Sequence, residues 1–309
     1  MHPALWAVAG AGTSALATSA AWAYWRLQLG APPTELPPVL AYHKVGTAEL
    51  GGTWCTRRQF RSQLDALRRA GYSAIDTRTF EERLTTLVHP PPGDARAPHT
   101  QPRETTREFL VTFDDAYASF ATHAYPELQA RGVPVLLFVI SAFVGQRARW
   151  DLPLPGRRVE HLTWSTLRDL VADGVEIGSH TDSHRELRSL KRAALRAELV
   201  DSRRRLEDAL GVEVRTLSYP FGACNARVTE AAAEAGYRLG FSMCPRGPNT
   251  RVHPLALRRW GVYVTDTPRS VLDKVDPSRR AFWVQDLITR GINAVGRASA
   301  AAAAIVSRS

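Results

Sequence analysis

The chain has 309 residues, enough for one large domain with a sizeable core, and its 44% hydrophobic and 23% charged residues exclude a disordered or fibrous protein. Its formal net charge of +10 comes almost wholly from Arg, yet the basic residues are spread over what read as solvated helix faces, at Arg57-Arg58, Arg68-Arg69 and Arg203-Arg204-Arg205. No zinc finger or RNP-type aromatic motif accompanies them, so no nucleic acid partner is expected, and attraction to an anionic envelope fits better.

The three cysteines, Cys55, Cys224 and Cys244, lack C-x-x-C spacing, which excludes a zinc knuckle or a dithiol pair. Free or partly buried thiols are expected, with Cys224–Cys244 pairing in an oxidising compartment as the alternative. No repeat of 20 to 50 residues is visible, which excludes solenoids and propellers.

In chain order, residues 1–26 come first. From Ala4 to Trp25 there is no charged side chain, and the stretch is long enough to cross a bilayer as an apolar helix. Trp6, Trp22, Tyr24 and Trp25 sit near its ends, and Arg26 follows, as interfacial residues would. A membrane anchor is the first reading and a signal segment cleaved near Ala21-Trp22-Ala23 the second. Both expect the rest of the chain outside the cytoplasm, in the cell envelope, anchored or secreted.

Residues 27–37, with Ala31-Pro32-Pro33 and Pro37, read as an extended linker. A domain over 38–275 follows. It opens on the strand Val39-Leu40-Ala41-Tyr42-His43, after which Thr56 caps a helix whose apolar positions Phe60, Leu64 and Leu67 recur at helical spacing, ending at Gly71. Residues 89–107 turn to Pro, His, Thr, Arg and Gly without periodicity, a loop insertion. Beyond it, strands are predicted over 109–113, 133–140, 175–178, 216–219 and 239–242, with helical stretches between most of them. Alternation of this kind argues for an α/β fold of parallel strands and crossover helices, naturally closed as a (β/α) barrel. The tail over 276–309 carries Phe282, Trp283, Leu287, Ile288, Ile292 and Val295 at near-helical spacing before an Ala run, a helix lying on a membrane surface or packed on the barrel.

Three constellations carry chemistry. Thr112-Phe113-Asp114-Asp115 ends a strand, and two adjacent carboxylates there call for a cation, a donor or water to relieve their repulsion; the pair also suits a plain helix N-cap. Gly178-Ser179-His180-Thr181-Asp182-Ser183-His184 follows another strand. If that segment is helical, both imidazoles share a face and reach one metal ion. One carboxylate and two imidazoles suit Zn²⁺ and admit other divalent ions. Ser218-Tyr219-Pro220-Phe221-Gly222 follows a third strand, where Pro220 and Gly222 bend the chain and the Phe221 N–H becomes a candidate oxyanion donor.

Together these motifs resemble the polysaccharide deacetylase family, the NodB-homology domain of carbohydrate esterase family 4, over about Pro38 to Asp273. The resemblance implies a distorted (β/α) barrel that hydrolyses N-acetyl groups of amino sugars in peptidoglycan, chitin-like or exopolysaccharide polymers. It implies Asp114 as catalytic base, Asp115, His180 and His184 as metal ligands, and a divalent ion, Zn²⁺ first with Co²⁺ or Ni²⁺ as alternatives, without an organic cofactor.

The chain departs from the family pattern at Ser218, where an Arg is common, and lacks a convincing late Leu-x-His. It is similar in this to a branch with an N-terminal Tyr-His, a [Ser/Ala]-Tyr-Pro-[Phe/Tyr]-Gly motif and a late Leu-x-Arg, matched by Tyr42-His43, Ser218 to Gly222 and Leu257-Arg258-Arg259. That branch implies His43 as the general acid, where a lone buried histidine is the blander reading, and gives Arg259 the task of orienting Asp114. Two further readings stand beside the polysaccharide deacetylase: a deacylase or deformylase of a lipid-linked sugar, and a catalytically silent sugar-binding barrel.

Overall fold

A computed structural model of the chain describes residues 36–46, 52–89, 107–148, 159–243 and 252–292, the last without residues 280, 283 and 290. The N-terminal apolar helix expected over 1–26, most of the linker and of the 89–107 insertion, Trp283 and the Ala-rich end lie outside the described residues, as does Cys244. Val252 apart, the described residues belong to one compact unit. Among them, no helix is long and apolar enough to cross a membrane.

The barrel staves are short apolar runs buried on both faces, as parallel strands covered by helices must be. They are β1 (Val39–Tyr42), β5 (Glu108–Phe113), β6 (Leu136–Val139), β7 (Glu176–Ser179), β8 (Thr216–Ser218) and β9 (Leu239–Ser242), paired in the order β9-β8-β7-β6-β5-β1, all parallel. The ring is completed by one segment in two halves. β10 (Leu257–Arg258) pairs with β9, and β11 (Trp260–Gly261) pairs with β1, so residues 257–261 join the two edges of the sheet. Arg259 lies at the break between the halves, and its backbone N–H donates to the Ser242 carbonyl at 2.9 Å.

The remaining strands are pairs of residues: β2 (Lys44–Val45) with β3 (Trp54–Cys55), and β4 (Ser73–Ala74) beside the start of β5. Helices α1 (Arg57–Arg69), α2 (Thr77–Val88), α3 (Tyr125–Gln129), α4 (Trp164–Ala172), α5 (Arg192–Leu210), α6 (Ala226–Glu234) and α7 (Pro268–Val275) alternate with the strands. The Thr56 cap expected of α1 is present as a full capping box with Gln59, and Phe60, Leu64 and Leu67 are buried beneath it.

Strand limits move where backbone chemistry overrides the apolar pattern. The run predicted over 133–140 is a strand only from Leu136, because Pro134 has no N–H to give a ladder, and Ile140 already turns into the helical turn Ser141–Phe143. In the tail, residues 284–289 are helical. Phe282 packs edge-on against Trp260 at 4.9 Å and Asp286 is buried beside Arg258, while Leu287, Ile288 and Ile292 are exposed.

Gly178 in β7 shows how closely the staves are packed. A Cβ there lies 2.5 Å from both the Phe138 ring and Thr216 Oγ1, on the two neighbouring strands. Gly178→Ala is therefore expected to cost about 1–3 kcal/mol through overpacking, read as a lower denaturation midpoint at unchanged m-value.

Candidate active site

Every singled-out residue lies at the carboxyl end of a stave: His43 after β1, Asp114 and Asp115 after β5, His180 and His184 after β7, Phe221 after β8, and Arg259 after β10. That is the end at which barrel enzymes assemble their sites. The backbone there is unusual. The five non-glycine residues with positive φ among the described residues are Asp115 (71°), Ala116 (51°), Thr181 (67°), His184 (59°) and Phe221 (58°), all in these loops. Each left-handed residue costs of order 1–3 kcal/mol and persists only where its surroundings over-determine it.

This corrects two local expectations. Asp114-Asp115 is not a helix N-cap, since Asp115 and Ala116 are left-handed. The segment from His180 to His184 is not helical either. Its imidazoles converge because Thr181 and His184 reverse the chain, which a 3.6-residue period does not describe.

Asp115, His180 and His184 each offer one ligand atom, and these atoms lie within 4.8 Å of one another. His180 Nε2 is 3.4 Å and His184 Nε2 3.6 Å from Asp115 Oδ1. His180 Nδ1 lies 2.8 Å from the Ser218 carbonyl, which can only accept, so Nδ1 carries the hydrogen and Nε2 keeps its lone pair for a cation. Burial pushes the pKa of both histidines below the ordinary value, which keeps them neutral ligands. A carboxylate and two neutral imidazoles in a buried cluster fit a divalent metal ion.

Asp114 faces the other way. Arg259 grips it with two parallel hydrogen bonds, Nη1 to Oδ1 and Nη2 to Oδ2, both 2.7 Å, and also donates to Ser218 Oγ at 2.7 Å and Thr112 Oγ1 at 3.1 Å. Burial alone raises the Asp114 pKa, but the charge and hydrogen bonds of Arg259, with His180 and His43, outweigh it and hold the carboxyl well below the usual range.

His43 Nε2 stands 3.8 Å from Asp114 Oδ2. Its imidazole keeps 22% exposure, yet the protein around it still makes desolvation the largest influence, and its pKa is lowered to about 4. Phe221 sets its ring 4.9 Å from that of His184, at the wall of the same cluster.

Sequence reasoning missed the supports. Thr112 and Ser218 hold the guanidinium, and His161 Nδ1 sits 2.7 Å from the Asp115 carbonyl, stabilising the left-handed turn from a loop 46 residues away. Ser218 carried a signal as the place where the family pattern has Arg. His161 carried none, because its role depends on a backbone carbonyl.

Known proteins resemble this chain in sequence and in fold. Residues 101–240 match the family model for polysaccharide deacetylase. The chain is 25% identical over 230 residues to YxkH of Bacillus subtilis strain 168, whose name places it among polysaccharide deacetylases, covering 73% of this chain and 72% of that protein. It is 25% identical over 146 residues to the poly-beta-1,6-N-acetyl-D-glucosamine N-deacetylase of Staphylococcus aureus strain MRSA252, covering 44% of this chain and 48% of that one. Among solved structures, IcaB from Ammonifex degensii is similar with a TM-score of 0.58 and 26% identity, covering 76% of this chain and 93% of the other. The deacetylase PplD of Streptococcus pyogenes, solved in complex with acetate, shares the fold with a TM-score of 0.61 at 21% identity, over 78% and 98% of the two chains.

The Arg259–Asp114 pair yields a prediction for metal-free protein. Arg259→Met leaves a buried carboxylate without its cation and is expected to destabilise by about 3–5 kcal/mol at neutral pH. In wild type, the depressed Asp114 pKa contributes stability above the ordinary carboxylate range, lost only as pH falls through the folded value. In the variant burial dominates and the carboxyl protonates at higher pH, so the penalty is expected to shrink on acidification. Urea melts of both proteins across pH 4–8 check it, and a penalty constant over that range refutes it.

Proposed function

Because the chain belongs to the polysaccharide deacetylase family through residues 101–240, we propose that it is a metal-dependent hydrolase removing N-acetyl groups from the amino sugars of an envelope polysaccharide. The observation that carries this reading is the convergence, at one end of the barrel, of the Asp115, His180 and His184 ligand set with an Arg259-held Asp114 and with His43.

Asp115, His180 and His184 would hold the metal ion. When bound, it acts as a Lewis acid that polarises the acyl carbonyl and lowers the pKa of water. Asp114, fixed by two hydrogen bonds, accepts the proton that water loses on attacking the carbonyl carbon. His43, whose Nε2 stands 3.8 Å from Asp114 Oδ2, is the group placed to take that proton over. As the C–N bond breaks, His43 delivers the proton to the sugar nitrogen, which leaves as an amine, and the acyl group leaves as acetate. The Phe221 N–H is assigned to the developing oxyanion.

The name of the S. aureus relative makes a polymer of β-1,6-linked N-acetylglucosamine the first substrate to test. Zn²⁺ is the first choice of ion for a carboxylate with two imidazoles, followed by Co²⁺ and Ni²⁺.

Chelation is expected to abolish acetate release from such a polymer, and Zn²⁺ or Co²⁺ to restore it. Metal analysis should show His184→Ala losing both metal and rate, and Asp114→Asn losing rate with metal retained. Full activity in metal-free protein refutes the proposal, and equal metal loss in the two variants reverses the carboxylate roles.

His43→Ala is expected to keep fold and metal while losing about 100- to 10,000-fold in rate on an N-acetyl sugar, the usual worth of a positioned proton donor. On an activated ester, whose leaving group needs no proton, the loss should be smaller. Equal losses on the two substrates exclude His43 as the donor.

A further inference from the structure

The loop bearing His180 and His184 contains two of the strained left-handed residues and is itself neither helix nor strand; His180 N–H donates to the Val139 carbonyl of β6 at 2.8 Å and Asp182 N–H to the Glu198 carbonyl of α5 at 3.2 Å. Its inner turn is fastened at several points. Thr181 N–H donates to Ser179 Oγ at 3.1 Å, His184 N–H to Thr181 Oγ1 at 3.2 Å, and the carbonyls of Thr181 and Asp182 accept from Ser141 N–H at 3.2 Å and Ala142 N–H at 2.9 Å. Asp182 turns outward, taking the Ser141 hydroxyl at 2.6 Å and Arg205 at 2.9 Å.

The remaining fastening comes from α5. Glu198, only 6% exposed, receives both donors of Ser183: the backbone N–H at Oε2, 2.8 Å, and the hydroxyl at Oε1. Ser183 immediately precedes His184, so the carboxylate fixes the plane from which that imidazole departs. Both oxygens of one buried group thus point two donors of one residue in a single direction, a geometry a single hydrogen bond does not impose.

From this we infer that Glu198 is a positioning residue for the metal site, a strap that holds the His180–His184 loop in its ligand-presenting conformation before any cation arrives. The inference rests on the reading of Asp115, His180 and His184 as the metal ligands. Partners bonded directly to metal ligands commonly account for about 10- to 100-fold in metal affinity; Glu198 touches no ligand and acts through Ser183, and an effect of that order is expected of it. A purely structural role for Glu198 affects how much protein folds but leaves the affinity of the folded protein unchanged.

The experiment uses the full chain, stripped of metal, with Co²⁺ titrated by its visible absorption and Zn²⁺ measured by competition with a chelating dye. Glu198→Ala is expected to bind both ions about 10- to 100-fold more weakly and to alter the Co²⁺ spectrum. Glu198→Gln keeps both contacts, its carbonyl accepting from Ser183 N–H and its amide donating to the hydroxyl, so its affinity is expected to stay close to wild type. Ser183→Ala removes one contact of the two and is expected to weaken binding by less than Glu198→Ala.

Unchanged affinity and spectrum in Glu198→Ala overturn the inference. A loss in Glu198→Gln equal to that in Glu198→Ala overturns it in favour of a charge effect. Where Glu198→Ala does not fold, unchanged affinity in Ser183→Ala overturns it and weakened affinity supports it. Wild-type protein that takes up neither ion refutes the ligand assignment itself, and the strap with it.

Discussion

A guanidinium with no exposure to solvent is expensive to bury unless its charge and its donors are matched, and Arg259 is such a group. Its match is Asp114, bound through two parallel hydrogen bonds, with Ser218 and Thr112 taking further donors and the Phe138 ring 5.4 Å from the guanidinium carbon. Arg259 also sits where the barrel closes. Its backbone reaches the end of β9, the residues after it pair with β1, and its side chain spans to β5 and β8. Closure of the fold and orientation of one carboxylate are therefore one event. A sheet that failed to close through residues 257–261 would leave Asp114 buried without a cation.

The neighbouring carboxylate follows from the same constraint. Two adjacent carboxylates facing one environment repel each other. The left-handed turn at Asp115 separates them, sending Asp114 toward Arg259 and Asp115 toward His180 and His184. Strain stored in that turn is held by His161 on the Asp115 carbonyl, and strain in the histidine loop by contacts from Ser141, Ser179 and Glu198. Ser218 then has two uses: its hydroxyl accepts from Arg259, and its carbonyl fixes the His180 tautomer. A small residue at this position leaves room for a guanidinium arriving from the opposite edge of the barrel.

The amino-acid sequence determined by itself the alternation of strands and helices, the Thr56-capped helix and the strand-end placement of Asp114, Asp115, His180 and His184, because apolar periodicity and capping chemistry are local properties of the chain. Its motif pattern also pointed to His43 and Arg259. Only the tertiary structure decided how these residues meet. The closing stave in two halves, the reversal at Thr181 and His184 in place of a helical face, and the start of β6 after Pro134 depend on which strands become neighbours. The supports from Thr112, His161 and Glu198 lie 147, 46 and 15 residues from the groups they hold. Hydrogen bonds of that kind leave no periodic trace, since a carbonyl or a single buried carboxylate acquires its partner only when packing brings two distant segments within about 3 Å.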